Sequence, residues 1–347
     1  MSAGRRRDRR VYLAGHPLLF GLMAATRGRP VLRVGRTLVV HGADAYLAAL
    51  TRVPLDRTAA GTTGGAVDRL AGAGGLFDQG GAEHRRARRD LGEMFGTAGV
   101  ERLRPVWNSL IEDRLKPLAD GAAVDLVPVA AELAGRTAAE LLGLDADPIE
   151  LAAAAQETGA TAAKAHLPGR RRSGKAASEA AGRLVALTGS TLGATLAVAA
   201  VNTTVAALPR AAAWACDDDL WTYDQMPQLA DELLRVTAPT PLLPRVAAAG
   251  GEIAGCPVHA GDRMLLVARH AADAHRRGPD PADPAPARTS QLVFGAGPHA
   301  CPGARLARTQ LTDLLTALSA YRPAVVRSRP DRHSALPSWR TLVVCSR

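Results

Sequence analysis

The chain has 347 residues, 43 basic and 33 acidic, for a formal charge of +10, and 47% of it is hydrophobic. That hydrophobic share excludes a wholly disordered chain, and the length allows a sizeable buried core. Aromatics at 3% leave too few rings for a single-stranded nucleic-acid platform, and the basic clusters Arg5–Arg10, Arg85–Arg89 and Arg170–Arg172 accompany no nucleic-acid motif, so no nucleic-acid partner is expected.

Arg5, Arg6, Arg7, Arg9 and Arg10 precede an apolar stretch from Val11 to Ala25. The stretch is too short to span a bilayer. It reads as a folded amphipathic first helix rather than an export or membrane-surface segment, within an N-terminal segment 1–27 that is partly flexible. No other segment is expected to form a transmembrane run. Val31–Val34 and Thr37–Val40 are β-like runs joined by a Gly35-Arg36 hairpin turn, and Ala43 to Leu50 reads as helix. A Gly-rich connection from Ala60 to Gly81 leads to a charged helix from Glu83 to about Ala98, then to a helix over Val100–Leu118. Val124–Val127 starts a further element, followed by a helix over Ala130–Leu142.

Leu167–Gly174 is a polar breaker and reads as a loop. An Ala/Val/Leu/Thr-rich stretch then runs from Ala176 to about Ala215, and Pro209 should end or kink its helix. Helix returns from Pro227 to Val236. Past Thr237 the chain turns irregular, with short strands at Val246-Ala247, Glu252–Ala254 and Met264–Val267. A Pro/Asp/Arg-rich loop spans Ala274–Arg288. A final helix over Ala304–Tyr321 carries Leu306, Leu311, Leu314, Leu315 and Leu318 on one face. The fold class is mainly α with small β hairpins, in one domain over 1–347.

Four cysteines, Cys216, Cys256, Cys301 and Cys345, form no CxxC pair. That argues against a zinc site and for reduced thiols in a cytoplasmic protein. Cys301 stands apart from the others. It closes the run Phe294-Gly295-Ala296-Gly297-Pro298-His299-Ala300-Cys301-Pro302-Gly303, just before a helix. Glycine permits positive φ and close approach of backbone to a flat ligand. A helix N-terminus presents unpaired N–H groups that should lower the thiol pKa and favour a thiolate, which can ligate iron.

This loop resembles the cysteine-ligand signature of the cytochrome P450 family at Phe294, Gly295, Gly297, His299, Cys301 and Gly303. The resemblance implies that Cys301 is the metal ligand, the proximal thiolate of haem b iron, with Phe294 beside the sulfur and His299 on a haem propionate. Glu232-Leu233-Leu234-Arg235, 69 positions ahead of Cys301, is similar to the family's ExxR motif. Its Glu232 and Arg235 share a helical face and can pair. Arg245 resembles the propionate-binding arginine that follows that helix. His84 and Arg88, at i and i+4, resemble the His-xxx-Arg pair that serves the propionates. Arg85, Arg86 and Arg89 read as surface residues suited to an acidic electron donor.

Ala199-Ala200-Val201-Asn202-Thr203-Thr204 is similar to the family's distal helix. By that likeness Ala199 and Ala200 leave room above the iron, Thr203 holds oxygen and water, and Leu242 and Leu243 help line the substrate pocket. Asn202 replaces the usual acid, and an amide cannot relay protons as a carboxylate does. Asn202 with ordered water, slow oxygen activation, or a peroxide-using reaction all stay open. A non-oxygenase haem-thiolate enzyme and a catalytically impaired relative are the alternative readings. The chain is also shorter than family members usually are, compressed between Arg88 and Asn202 and trimmed between Thr204 and Glu232. The resemblance implies a monomeric monooxygenase acting on a lipophilic small molecule of secondary metabolism. Electrons would come from NAD(P)H through a separate ferredoxin or flavin-type partner, since the chain carries no nucleotide-binding fingerprint.

Overall fold

A computed structural model describes residues 1–62, 81–165 and 173–347. The expected Gly-rich connection 60–81 and the loop 167–174 fall largely outside the described residues. In chain order the helices are α1 (Ala3–Ala14), α2 (Pro17–Thr26), α3 (Ala43–Thr51), α4 (Gly81–Phe95), α5 (Thr97–Leu115), α6 (Leu126–Leu142), α7 (Pro148–Ala165), α8 (Ser173–Thr188), α9 (Thr191–Asp217), α10 (Met226–Thr237), α11 (Ala268–Ala271), α12 (Ala287–Ser290) and α13 (Ala304–Ser319). The strands are β1 (Val31–Val34), β2 (Thr37–Val40), β3 (Leu55–Asp56), β4 (Val124–Asp125), β5 (Leu243–Ala247), β6 (Gly251–Ile253), β7 (Cys256–Val258), β8 (Arg263–Leu266), β9 (Ala324–Asp331) and β10 (Ser338–Cys345). The mainly helical class with small sheets is as the sequence implies.

Several expectations are corrected. The first helix is two helices, because Pro17 has no N–H to continue α1 and instead opens α2 at a position where none is needed. The long stretch 176–215 is also two helices. Gly189, at φ +67°, reverses the chain, and the Ser190 side chain caps α9 by accepting from the Gly193 N–H at 3.0 Å. Pro209 does not end α9, which runs on to Asp217 with Pro209 inside it and buried. Among the described residues α9 is also long and apolar enough to cross a membrane by length and composition, contrary to expectation. Its packing against α1, α6, α7, α8 and β10 makes it the central core helix of this fold. The long β9–β10 hairpin was not anticipated; its strands are short of uninterrupted alternation and carry Pro330 and several arginines.

The sheets order as β1-β2-β8-β5-β3, β4-β10-β9 and β6-β7. The β2–β8 pair is parallel and β5–β8 antiparallel, so β8 joins the N-terminal hairpin to the strand that carries Arg245. One hydrophobic core gathers Trp107 and Ile111 of α5, Leu133 of α6, Trp214 of α9, Leu233 of α10 and Leu311, Leu315 and Leu318 of α13. A second lies on the five-stranded sheet around Leu38, Tyr46, Met264 and Leu266. A third joins α6 to α9 through Ala138, Leu151, Ala155, Leu184, Val201 and Val205. Its small side chains let these helices approach closely. Asp8 of α1, fully buried, pairs with Arg210 of α9 and with Arg269, which fixes the N-terminal helix to the body.

Candidate functional site

The cysteine loop sits between two short helical turns and the start of α13. Gly295 (φ +75°, ψ −167°) occupies backbone space open essentially to glycine. Gly297 (φ +71°) does so against α3, where a Cβ would come within 3.2 Å of the Thr51 methyl. The Cys301 N–H donates to the Phe294 carbonyl at 2.8 Å and closes the loop. Gly303 then leads into α13, and a Cβ at Gly303 would meet both the Phe95 ring of α4 and the Cys301 sulfur at 3.8–3.9 Å. Phe294 is half-buried, with the Arg308 guanidinium 4.7 Å above its ring.

Cys301 is accessible to solvent, yet protein crowds its sulfur on the remaining sides. Burial therefore raises the thiol pKa, against a smaller lowering by the Gly303 N–H, Arg88 and Arg308. This corrects the expected depression: the helix terminus acts in the expected direction, but desolvation outweighs it. The protein alone holds a thiol there, and a bound metal ion would have to displace its proton.

Near this loop lies a group of cationic side chains. The His84 and His299 rings stack with centroids 3.8 Å apart. Burial, with Arg57, Arg245 and Arg88 nearby, holds His299 at about 3 and lowers His84, so both are neutral imidazoles. Arg245 is lowered by burial, and its Nε is buried without a hydrogen-bond partner. Arg57, which sequence reasoning missed, is lowered to about 10 by burial and then by Arg245. Among the described residues no carboxylate pairs with Arg57, Arg88 or Arg245. Unpaired buried charge is costly, so this group suits a ligand with more than one negative charge. Haem, with two carboxylates and an iron for Cys301, fits both halves. Arg85, Arg86 and Arg89 are exposed on α4.

Behind the loop, Glu232 and Arg235 form a bidentate pair at 2.8 and 2.5 Å, both side chains essentially inaccessible. The pair exceeds a surface i,i+3 contact. Arg235 also donates to the carbonyls of Ala272 and Gly278, and Glu232 accepts from the N–H groups of Asp280 and Ala285. With the Arg277 carbonyl, which Arg235 also reaches at 3.4 Å, five backbone groups of the loop leading to Cys301 are thus satisfied by two side chains.

On α9 the expected distal residues separate. Ala199, Ala200 and Thr203 are half-buried and share a face by spacing. The Thr203 hydroxyl donates to the Ala199 carbonyl at 2.8 Å. Asn202 lies about 100° round the helix from Thr203 and turns to α7. Its Nδ2 donates to the Ala155 carbonyl at 3.0 Å and the Val198 carbonyl at 2.9 Å. A Cβ at Gly159 would meet that amide at 2.7 Å. Asn202 also lines a cleft of about 240 Å³ with Gln156, Glu157, His333, Ser334 and Ser338, on the α7 flank rather than the Thr203 face. Leu242 packs with Met23 and Val267, and Leu243 opens β5 against the sheet core.

No family model matches the chain. Two curated proteins do: a putative cytochrome P450, YjiB, of Bacillus subtilis (strain 168), 35% identical over 100 residues, and the erythromycin C-12 hydroxylase of Saccharopolyspora erythraea, 36% identical over 91 residues. These matches take in 28% and 25% of this chain and only 25% and 23% of those proteins, about a quarter of their length. Solved structures match far more of it. P450BioI in complex with acyl carrier protein ligated by hexadec-9Z-enoic acid gives a TM-score of 0.77 at 17% identity, over 96% of this chain and 100% of that one. Epothilone D-bound P450epoK gives 0.76 at 17%, over 96% and 97%. CYP109E1 of Bacillus megaterium with testosterone gives 0.76 at 16%, over 98% and 99%.

Proposed function

We propose that this chain, which has the fold of the bacterial-type cytochromes P450, is a haem-thiolate monooxygenase that inserts one atom of dioxygen into a lipophilic small molecule. The observation that carries the reading is the accessible Cys301 thiol beside a set of arginines that, among the described residues, has no carboxylate partner. Haem b would be held by Cys301 at the iron and by Arg88, Arg245, His299 and His84 at the propionates. Bound there, it supplies the redox-active iron that reduces dioxygen with electrons from NAD(P)H, delivered by a ferredoxin or flavin-type protein.

The chain's own residues set the conditions for that chemistry. Cys301 loses its proton on ligation, and the Gly303 N–H, Arg88 and Arg308 stabilise the resulting negative sulfur. The Glu232–Arg235 pair fixes the loop that presents it. On the other side Ala199 and Ala200 leave space for an apolar substrate. The Thr203 hydroxyl donates its hydrogen to the Ala199 carbonyl, so its free lone pairs accept a hydrogen bond from water and orient it. Asn202, hydrogen-bonded to α7, contributes no transferable proton to this face. Water ordered by Thr203 then carries protons in. The hexadec-9Z-enoic acid, epothilone D and testosterone of the neighbouring structures support an apolar substrate, and a place in secondary metabolism follows the hydroxylase relative. We read the protein as a cytoplasmic monomer.

Asn202 favours one second reading, a peroxide-driven haem-thiolate enzyme, because hydrogen peroxide brings its own protons. The primary test is the ferrous carbon-monoxide spectrum. Wild type should give the strongly red-shifted Soret band of thiolate ligation, and Cys301→Ala should lose it. A wild-type protein without that band, or a variant that keeps it, overturns the assignment. Turnover with peroxide but none with a reductase system selects the second reading.

A further inference from the structure

The reading above uses two arginines for two propionates, yet a third arginine stands in the same group. Strand β3 pairs antiparallel with β5 at Leu55↔Ala247 and Asp56↔Val246. Arg57 follows β3 directly, and Arg245 precedes the Val246 that pairs with Asp56, so the two arginines lie near each other. Two like charges held this close repel unless something negative lies near both. The acid adjacent in the chain does not serve. The Asp56 carboxylate turns into its own chain and accepts from the Thr58 N–H and hydroxyl and the Ala59 N–H, at 3.0–3.1 Å. Arg245 gives one guanidinium N–H to the Pro244 carbonyl and keeps a buried Nε without a partner. His299 is within electrostatic reach of both arginines.

Resting on the haem reading, we infer that Arg57 is a further carboxylate-binding residue of the site, completing with Arg245 a cross-strand clamp on one haem propionate. The clamp would let the chain retain its cofactor from the sheet side. Arg57 is a binding residue only; it bears on affinity for the cofactor rather than on proton delivery.

The test compares wild type, Arg57→Gln and Arg57→Lys for uptake of ferric protohaem and of its dimethyl ester, which lacks both negative charges. Wild type should bind protohaem more tightly than the ester. Arg57→Gln should weaken protohaem binding about ten-fold, leave ester binding nearly unchanged and so narrow the ratio, while Arg57→Lys should restore part of it. Haem-free Arg57→Gln should melt no lower than haem-free wild type, since it removes a repulsion. An unchanged ratio in Arg57→Gln overturns the inference, whether or not the variant is less stable. If wild type binds no haem at all, the haem reading itself fails and takes the clamp with it.

Discussion

The cysteine side of the molecule and the helical layer α7–α9 are built on different principles. On the cysteine side, polar side chains reach across the chain. Glu232 and Arg235 hold backbone groups from Ala272 to Ala285. In the helical layer most polar side chains bond back to their own helix, as Thr161 does to Glu157, Thr188 to Leu184 and Thr203 to Ala199. Ties between those helices include Asn202 to Ala155 and Thr158 to Ala180. A buried polar network admits one arrangement, whereas small-residue packing tolerates several. The cysteine loop is therefore placed rigidly, while the helical layer is left easier to reshape.

The largest effect that tests this contrast should come from Glu232→Ala. It leaves Arg235 buried and unpaired and strips two backbone N–H groups of their acceptor, a loss of about 3–5 kcal/mol. Denaturant unfolding checks it, and a loss below about 1 kcal/mol would show that the pair is not what fixes the loop.

Next comes Asn202→Asp. The change sets a carboxylate against the carbonyls of Ala155 and Val198 and should cost about 1–3 kcal/mol, with faster amide exchange in α7. Gly159→Ala should cost a similar amount by overpacking the same contact, about 1–3 kcal/mol. Combined with Asn202→Ala its penalty should shrink, and strictly additive losses would disprove the contact. Improved coupling of reductant to product in Asn202→Asp would show that this side chain does reach the oxygen face.

Acid should separate the two regions. Burial holds His41 and His275 at about 4 and His270 and His299 at about 3, below the unfolded value of about 6.5. These groups fold neutral, so their contribution is complete above the unfolded value and drains away as pH falls toward 4 and 3. Haem-free protein should melt progressively lower from pH 6.5 to 4, and amide protection around α11 should fail before that of α9. A flat profile would contradict the assignment. The smallest effect should be Thr203→Val, under about 1 kcal/mol in stability because only a bond within α9 is lost. Product formed per reductant should nevertheless fall, and unchanged coupling would remove Thr203 from the proton path.

What the sequence by itself determined is the part written in neighbouring residues. The glycines of 295–297, the cysteine ahead of a helix and the i,i+3 spacing of Glu232 and Arg235 are local facts, since backbone conformation and helical faces depend on a few adjacent positions. Helix was legible over α5, α6, α10 and α13 for the same reason. The tertiary structure alone decided the rest. Nothing local in Asn202 reveals that its partner is Ala155, 47 residues away. Nothing in Leu55-Asp56-Arg57 reveals that β5 will bring Arg245 alongside. The thiol pKa also reversed direction, because desolvation depends on everything packed around a group, whereas a helix terminus can be read from the sequence that follows it.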